Sequence, residues 1–214
     1  MPNFDRLIDD LAGDLAPVVP ISAARGRVLL AGVALAICAA VLALLGVRPD
    51  VAAGRPAPLL LLVAGLFAIA GAAAASAAIR AAQPAVGAAR DGARWALASL
   101  AILPLVALAT MAASPAPGAG LWDGVGVGVG CVLTGLIGSL AALAALTWWL
   151  RRGAPVSVEK TGWLAGAAAG AIGALAVTLE CPEDVVTHMG TWHVTIVPAA
   201  AAIGRTVIPR LARW

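Results

Sequence analysis

Residues 28–47 read VLLAGVALAICAAVLALLGV and decide the class of fold. The stretch has no charged residue, and about 20 apolar residues in a helix cross a hydrocarbon core about 30 Å thick. Ala and Leu run continuously here, whereas a membrane β-barrel alternates apolar and polar residues and carries aromatic girdles. We therefore expect an all-α membrane protein folded as a six-transmembrane-helix bundle. Similar apolar stretches predict its spans at 28–47, 57–79, 95–113, 126–149, 162–179 and 185–204.

The composition of the whole chain excludes a soluble globular domain. Hydrophobic residues make up 62% of the 214 residues and charged residues 12%, against about half and about a quarter in soluble domains. The first span follows a long head that begins acidic, so it does not have the short basic start of a cleaved signal peptide. The sequence therefore predicts that the lipid bilayer is one partner of this protein.

The positive charges predict how the helices are oriented. Of the 14 Lys and Arg residues, all except Arg48 and Arg55 lie before the first span, after the last, or between spans two and three or four and five. Short cytoplasmic loops carry an excess of Lys and Arg, so we expect these regions on the cytoplasmic side. Both termini are then cytoplasmic, and three short hairpins face outward.

The head, MPNFDRLIDDLAGDLAPVVP over residues 1–20, carries four aspartates against one arginine in a chain whose net charge is +3. Its pattern predicts a short amphipathic helix, with Asn3 as the N-cap and Pro17 as a stop. The apolar and acidic positions at helical spacing are Phe4, Leu7, Ile8, Leu11 and Leu15, and Asp5, Asp9, Asp10 and Asp14.

A helix of this length is marginal alone in water and needs a surface to fold against. Helices that lie on membranes normally present Lys and Arg to anionic lipid, which argues against the bilayer as that surface. A protein groove that is apolar at its base and basic at its rim fits better. The alternative is an acidic stripe that packs on the cytoplasmic arginines. We divide the chain into a partner-binding head, 1–25, and a membrane domain, 26–214.

The cysteines differ in their surroundings. Cys38 lies in mid-span among apolar residues and is interpreted as packing. The topology puts Cys131 and Cys181 toward the outer leaflet, at similar depth if the GVGVGVG run over 124–130 is frayed. A fourth span that began at Asp123 would instead separate them by about 12 Å along the axis, too far for a disulfide.

Two further patterns concern the helices around these cysteines. Pro182 is expected in the first turn of the helix after Cys181, with Glu183 and Asp184 at the N-terminus of that helix. Glycines at close spacing predict that spans four and five pack against each other. These glycines are Gly124, Gly128, Gly135 and Gly138 in span four, and Gly162, Gly166, Gly170 and Gly173 in span five.

The only histidines, His188 and His193, follow in the outer half of span six. Thiolate and imidazole together suit soft or borderline cations such as Zn, Cu(I) or Cd. Two alternatives to a metal site remain. The two thiols could form a redox-active pair, or they could be inert and lie beside histidines at the membrane interface. No resident cofactor is required beyond transient binding of a soft metal ion. The metal ligands would be Cys131, Cys181, His188 and His193.

Several segments together resemble the NrsF-type family of six-helix membrane anti-sigma factors, the negative regulators of sigma F. They are RLIDDLAGDLAPVVP in the head, ECP after span five and IPRLARW at the end, combined with six spans and two cytoplasmic termini. The resemblance covers essentially the whole chain.

The resemblance implies a bacterial inner-membrane protein whose head holds an extracytoplasmic-function sigma factor away from RNA polymerase. Oxidant or heavy-metal stress at the outer cysteines would weaken this hold, with Cys131 and Cys181 as the sensing pair. The implied sigma-binding stripe consists of Leu7, Ile8, Asp9, Asp10, Leu11, Asp14 and Leu15.

Two other classes of function compete with a non-enzymatic regulator of transcription. A membrane thiol oxidoreductase usually needs a CxxC pair, which this chain lacks. A small metal transporter would line a path with ionisable residues near the bilayer midplane, and no Asp, Glu, Lys or Arg lies in mid-span. The cytoplasmic arginines follow from topology, so no direct nucleic-acid binding is expected.

Overall fold

The computed structural model describes residues 4–13, 21–83, 91–113 and 124–211, and these residues are mostly helical. Over this part of the chain the all-α prediction is confirmed. The elements are α1 Phe4–Gly13, α2 Ala23–Leu45, α3 Pro49–Ala52, α4 Pro58–Ala81, α5 Asp91–Ala113, α6 Val125–Leu150, α7 Val158–Glu180, α8 Val186–His188, a π-helical turn Met189–His193, and α9 Val194–Leu211.

Among the described residues, five stretches are long and apolar enough to cross a membrane. They are Ala23–Leu45, Pro58–Ala81, Val125–Leu150, Val158–Glu180 and Val186–Leu211. The remaining predicted span, 95–113, lies in α5, whose apolar part is limited to 94–109. The chain is therefore a multi-pass α-helical membrane protein.

Two helices begin before the apolar spans that hydropathy predicts. Their first turns are polar, so a hydropathy window leaves these turns out. The first turns of α2 include Arg25 and Arg27, whose long side chains favour helix and can lie along apolar surface. α7 starts at Val158 because the Ser157 hydroxyl oxygen accepts a hydrogen bond from the Lys160 backbone N–H at 3.4 Å. Charged and capping residues therefore belong to helices that a hydropathy window cuts short.

α7 is the centre of the bundle, and 72% of its apolar window is buried. Its alanines and glycines allow this because small side chains let neighbouring backbones approach closely. A β-carbon built at Gly170 would lie 2.7 Å from the Val197 Cα, and one at Gly162 would lie 2.7 Å from the Gly204 carbonyl oxygen. α7 and α9 therefore pack backbone against backbone.

The predicted glycine contact between spans four and five is only partly right. Gly173 of α7 does face α6, where a β-carbon at Gly138 would lie 3.7 Å from the Gly173 Cα. However, Gly162, Gly166 and Gly170 face α9 instead. Small residues line several sides of α7, so their spacing could not reveal which neighbour each glycine would meet.

Gly166→Ala is expected to destabilise the bundle, whereas Gly65→Ala is not. A β-carbon at Gly166 would lie 2.6 Å from the Ala201 Cα. Relieving this overlap requires α7 and α9 to separate, at a cost of about 1–3 kcal/mol. Gly65 in α4 is the matched control, because nothing lies within 4 Å of a β-carbon added there. Thermal unfolding of both variants in one detergent checks this, and equal midpoints would contradict the α7–α9 packing.

Candidate functional site

Two cysteines and two histidines meet where α7 ends. Cys131 lies in α6, Cys181 follows α7, His188 ends α8, and His193 ends the π-helical turn. All are buried, and His193 is fully inaccessible. Each residue offers one ligand atom, and these atoms lie within 4.8 Å of one another. The structure thus brings together all four residues that the sequence singled out as metal ligands. We call them the thiol–histidine cluster.

The atoms of the cluster lie at contact distances. The Sγ atoms of Cys131 and Cys181 are 3.4 Å apart, and each lies 3.7 Å from the His188 Nε2. Both cysteines are free thiols and belong to an apolar core that also includes Phe67. The third cysteine, Cys38, is partly buried against a different core cluster, in agreement with a packing role.

The two thiols are close although α6 starts well before residue 129. Gly124 precedes the helix with a φ of +73°, and the GVGVGVG run is helical from Val125. The expectation that such an early start would separate the thiols is wrong, because α6 and α7 do not end at the same level. Cys131 is the seventh residue of α6, whereas Cys181 directly follows the last residue of α7. The first residues of α6 therefore extend beyond the end of α7 and pack on Trp192, whose ring occupies the space beside Gly128.

The π-helical turn Met189–His193 directs both histidines to the cluster. Residues five apart in an α-helix point roughly 140° away from each other. A π-helix closes i→i+5 hydrogen bonds instead, so residues five apart come closer to one face. The ring centroids of His188 and His193 are 5.3 Å apart, with planes inclined by 78°. Sequence spacing alone did not predict this shared face.

Thr178 contacts the His193 ring. Its hydroxyl lies 2.7 Å from the Ala174 carbonyl oxygen, to which it can donate, and the same oxygen lies 2.9 Å from the His193 Nδ1. A hydroxyl that donates to Ala174 can only accept from His193, which corresponds to the tautomer with the ring hydrogen on Nδ1. Nε2 is then an acceptor; it is buried and has no hydrogen-bond partner among the described residues.

A buried arginine binds the segment that holds Cys181. Arg48, at 3% exposure, follows α2. Its Nη1 donates to the carbonyl oxygens of Cys181 at 2.8 Å and Glu183 at 3.3 Å. It also forms ion pairs with Asp50 at 2.9 Å and Asp184 at 3.5 Å. Sequence reasoning assigned Arg48 only to an outward loop. The signal for this contact in the sequence was the opposite net charge of two loops predicted to lie on the same side of the membrane.

The segment after Cys181 is extended and does not begin a helix. Pro182 disfavours helical geometry at the preceding residue, and Cys181 has φ −63° and ψ 121°. The next helix starts only at Val186. The expectation that Pro182 opens a helix is therefore wrong. The carbonyl oxygens of Cys181 and Glu183 bind Arg48 instead of the amides of a helical turn.

Asp50 is an anionic partner of Arg48 in the loop after α2. Its carboxylate accepts hydrogen bonds from Arg48 and from the Ala57 backbone N–H, each at 2.9 Å. The Arg48 hydrogen bond and then the Ala57 hydrogen bond lower the pKa of Asp50 from 3.8 to about 2. Because folding lowers this pKa, ionised Asp50 stabilises the folded protein fully above pH 3.8, and the stabilisation is lost as the pH falls through about 2.

Asp50→Asn is expected to lower the thermal midpoint by a constant amount between about pH 7 and pH 5. Below about pH 4 the gap between wild type and variant should shrink, because the unfolded wild-type chain then binds a proton that the folded chain does not. Thermal unfolding in nanodiscs over this pH series is the measurement. A gap that already shrinks near pH 6, or that persists unchanged to about pH 2, would contradict the assigned pKa shift.

The described part of the predicted sigma-binding stripe lies on α1. None of the α1 residues is buried, and the apolar residues Leu7, Ile8 and Leu11 are each more than half exposed. Phe4 belongs to the same face at 65% exposure. Asp9 and Asp10 are exposed on the other faces of the helix. Asp14 and Leu15 lie outside the described residues.

Comparison with known proteins identifies the family of the chain. A family model described as NrsF, negative regulator of sigma F, matches residues 11–214, nearly the whole chain. The match begins at Leu11, within α1, and includes the whole thiol–histidine cluster. No curated protein and no solved structure matches the chain. With its several apolar helices and this nearly complete match, the chain belongs to the NrsF family of negative regulators of sigma F.

Proposed function

We propose that this protein is an inner-membrane anti-sigma factor that binds an extracytoplasmic-function sigma factor through residues 1–25. It releases the sigma factor when Cys131 and Cys181 react with an oxidant or a heavy metal. The family match, which describes a negative regulator of sigma F, carries this proposal. The exposed apolar face of α1 and the buried thiol–histidine cluster support its two finer parts.

The shape and charge of α1 favour a protein groove as its binding site. Its apolar side chains share one face and are exposed, and burying each one would contribute about 1.5–3 kcal/mol. A sigma factor contacts DNA, and DNA-binding proteins carry basic surface. Such a surface complements the aspartates on the other faces of α1, Asp5, Asp9 and Asp10. The head would therefore complete its folding on the sigma factor.

The distance between the thiols favours two-electron chemistry at the cluster. The sulfur atoms are 3.4 Å apart, and a disulfide requires them to approach by roughly 1.3 Å. A hydroperoxide would accept the two electrons: its O–O bond breaks, the S–S bond forms, and the two thiol protons leave in the alcohol and water produced. A soft metal ion would instead displace both protons and bind the sulfur atoms. Either event moves Cys181 relative to Cys131.

We place six helices across the membrane, with α5 as the third and both termini in the cytoplasm. α5 has 23 residues, a length of roughly 34 Å at 1.5 Å per residue. The distribution of Lys and Arg supports the orientation. Arg152 stacks on Trp148, and Arg205 on Trp163, near the helix ends assigned to the cytoplasm. Tryptophan and basic residues typically anchor helix ends at membrane interfaces.

In this proposal the protein acts by binding and not by catalysis. Its partners are the lipid bilayer and the sigma factor, and it does not contact nucleic acid directly. The head and the cluster lie at opposite ends of α2, whose 23 residues span roughly 34 Å. A signal must therefore travel the thickness of the membrane.

Deletion of residues 2–16 tests the head assignment. Full-length protein in nanodiscs, kept reduced, is mixed with each purified extracytoplasmic-function sigma factor of the host in turn. We expect one of them to bind the full-length chain and to lose binding to the shortened chain, because the deletion removes the apolar face of α1. Equal binding of that sigma factor to both chains would overturn the assignment. Unchanged thermal unfolding of the shortened chain serves as the control for an intact membrane domain.

A further inference from the structure

We infer that Cys131, Cys181, His188 and His193 form a closed tetrahedral site for one d¹⁰ divalent cation, Zn²⁺ or Cd²⁺. This inference rests on the proposed function and deepens it, because it names the class of ligand that the sensing cysteines take. It also gives both histidines a role as ligands. The metal would join α6, the end of α7 and the π-helical turn at one point.

The three distances among Cys131, Cys181 and His188 match edges of a tetrahedral zinc site. Zn–S bonds of about 2.3 Å and Zn–N bonds of about 2.0–2.1 Å at tetrahedral angles place two sulfurs about 3.8 Å apart and a sulfur and a nitrogen about 3.6 Å apart. The observed separations are 3.4 Å between the sulfurs and 3.7 Å from each sulfur to the His188 Nε2. Adjustments of a few tenths of an ångström would fit these three atoms to the site, and His193, whose ligand atom lies within 4.8 Å of the others, would move closer on binding.

The arrangement of His193 is that of a metal ligand. A ligating histidine almost always donates its other ring N–H to an oxygen acceptor, which fixes the tautomer and the ring orientation. Thr178 is that acceptor for Nδ1, and its own hydroxyl hydrogen is committed to the Ala174 carbonyl oxygen. This leaves the lone pair of a fully buried Nε2 without a hydrogen-bond partner among the described residues. A bound cation would satisfy it.

The charges balance in a buried site. A divalent cation breaks the two S–H bonds, forms two metal–sulfur bonds and releases two protons to water, with no change in oxidation state. Two thiolates and two neutral imidazoles then give a complex with no net charge, which avoids burying an unpaired ion. A disulfide between the same cysteines would need neither histidine. The Thr178–His193 contact is therefore accounted for by metal binding and not by thiol oxidation.

Thr178→Val separates metal binding from thiol chemistry. Valine keeps the volume of threonine but removes the acceptor for His193 Nδ1, so we expect the affinity for Cd²⁺ to fall about 10- to 100-fold. Thr161→Val is the matched control, since Thr161 is also a buried α7 threonine whose hydroxyl donates to a backbone carbonyl oxygen. Reduced full-length protein in nanodiscs is titrated with Co²⁺, followed by displacement with Cd²⁺ and Zn²⁺.

The expected result is one Co²⁺ per chain with the intense visible bands of a tetrahedral thiolate site, in wild type and in Thr161→Val. Both Thr178→Val and His193→Gln should bind more weakly, while diamide still links Cys131 to Cys181 in both. Absence of a stoichiometric tetrahedral spectrum in wild type would overturn the site. Equal Cd²⁺ affinity in Thr178→Val and wild type would also overturn it. No sigma factor is present, so failure here is distinct from failure of the proposed function.

A second inference rests on the buried Arg48, independently of the metal. We propose that Arg48 couples the Cys181 segment to α2, the helix that leads back to the head. Its guanidinium holds the carbonyl oxygens of Cys181 and Glu183, and its backbone follows the end of α2 at Leu45. A displacement of Cys181 therefore pulls on the end of α2. This coupling, too, rests on the proposed function.

α2 is loosely held along the rest of its length. Only 11% of its apolar window is buried, against 72% for α7. Its buried residues are Gly26, Leu30 and Ile37, which fall on one side of the helix. Protein packing therefore constrains α2 less than it constrains α7. The polar contacts of Arg48 are thus a strong attachment between α2 and the cluster.

Arg48→Met is expected to uncouple α2 from the cluster. Methionine keeps an apolar stem of similar length but has none of the five N–H donors of arginine. Arg48→Lys keeps the charge without the planar fork and should uncouple partly. Arg55→Gln, at the exposed second arginine of the same loop, is the control. The measurement is hydrogen–deuterium exchange of residues 40–47 in nanodiscs, before and after diamide oxidises Cys131 and Cys181.

In wild type and Arg55→Gln, disulfide formation should change exchange over 40–47, and in Arg48→Met this change should be lost. The same change in Arg48→Met as in wild type would overturn the coupling, as would no change in wild type once the disulfide has formed. Mass spectrometry of the oxidised protein verifies the disulfide in every variant. The readout needs no sigma factor, so it is independent of the head assignment.

Discussion

Leu11→Asp is expected to weaken binding of the sigma factor at least about tenfold. Leu11 is 62% exposed on the apolar face of α1, and burying a leucine side chain in a groove contributes about 1.5–3 kcal/mol. Each 1.4 kcal/mol corresponds to about tenfold in Kd. Aspartate forfeits this contribution and also places a charge against an apolar surface. In cells the variant should leave the sigma factor active without any stress.

Gly13→Asp is the matched control for Leu11→Asp. Both changes add one negative charge near the end of α1, but Gly13 lies on the opposite side of the helix and has nothing within 4 Å of an added β-carbon. We expect its Kd to stay within about twofold of wild type. Similar losses in both variants would mean that charge and not the apolar face governs binding. No loss in Leu11→Asp would remove α1 from the interface.

Replacing both Cys131 and Cys181 by serine is expected to abolish the response to oxidant and to Cd²⁺. Serine has a similar shape, but it cannot form a disulfide, and its hydroxyl is a poor ligand for soft metals. In wild type, treatment should change the Kd for the sigma factor by about 5- to 150-fold, the typical range of allosteric coupling. In the double variant, the same treatment should change this Kd by no more than about twofold. The measurement is the Kd for the sigma factor before and after treatment.

Cys38→Ser is the control for the double cysteine variant. Cys38 is partly buried in α2, outside the thiol–histidine cluster, and packs against another part of the core. The response should therefore survive its replacement. If the double variant still released the sigma factor while Cys38→Ser did not, the sensing residue would be Cys38 and the cluster would have another role.

The membrane class and most helices could be predicted from sequence because lipid leaves a chain few solutions. Every backbone polar group must be satisfied within the hydrocarbon core, so a continuous apolar stretch such as 28–47 has to form a helix. The amphipathic character of α1 was equally predictable, since Phe4, Leu7, Ile8 and Leu11 repeat with helical spacing. Helix ends were less predictable, because Arg25, Arg27 and Ser157 extend helices beyond their apolar parts.

The members of the candidate site could be predicted, but their geometry could not. Residue chemistry pointed to two cysteines and two histidines, whereas the relative depth of Cys131 and Cys181 depends on how far α6 extends past α7. The shared face of His188 and His193 depends on a π-helical turn, which has no signature in residue spacing. Thr178 and Arg48 contribute through contacts with residues far away in sequence, and no periodicity reveals such contacts.

The Kd of the sigma factor for wild-type, full-length protein in nanodiscs tests the central claim most directly. It is measured with the protein reduced and metal-free, and again after Cd²⁺ or diamide has been shown to occupy or oxidise Cys131 and Cys181. We predict tight binding in the reduced state and a Kd at least about fivefold higher after treatment. An unchanged Kd, in protein whose two thiols have demonstrably reacted, would contradict the claim that the cluster controls the head.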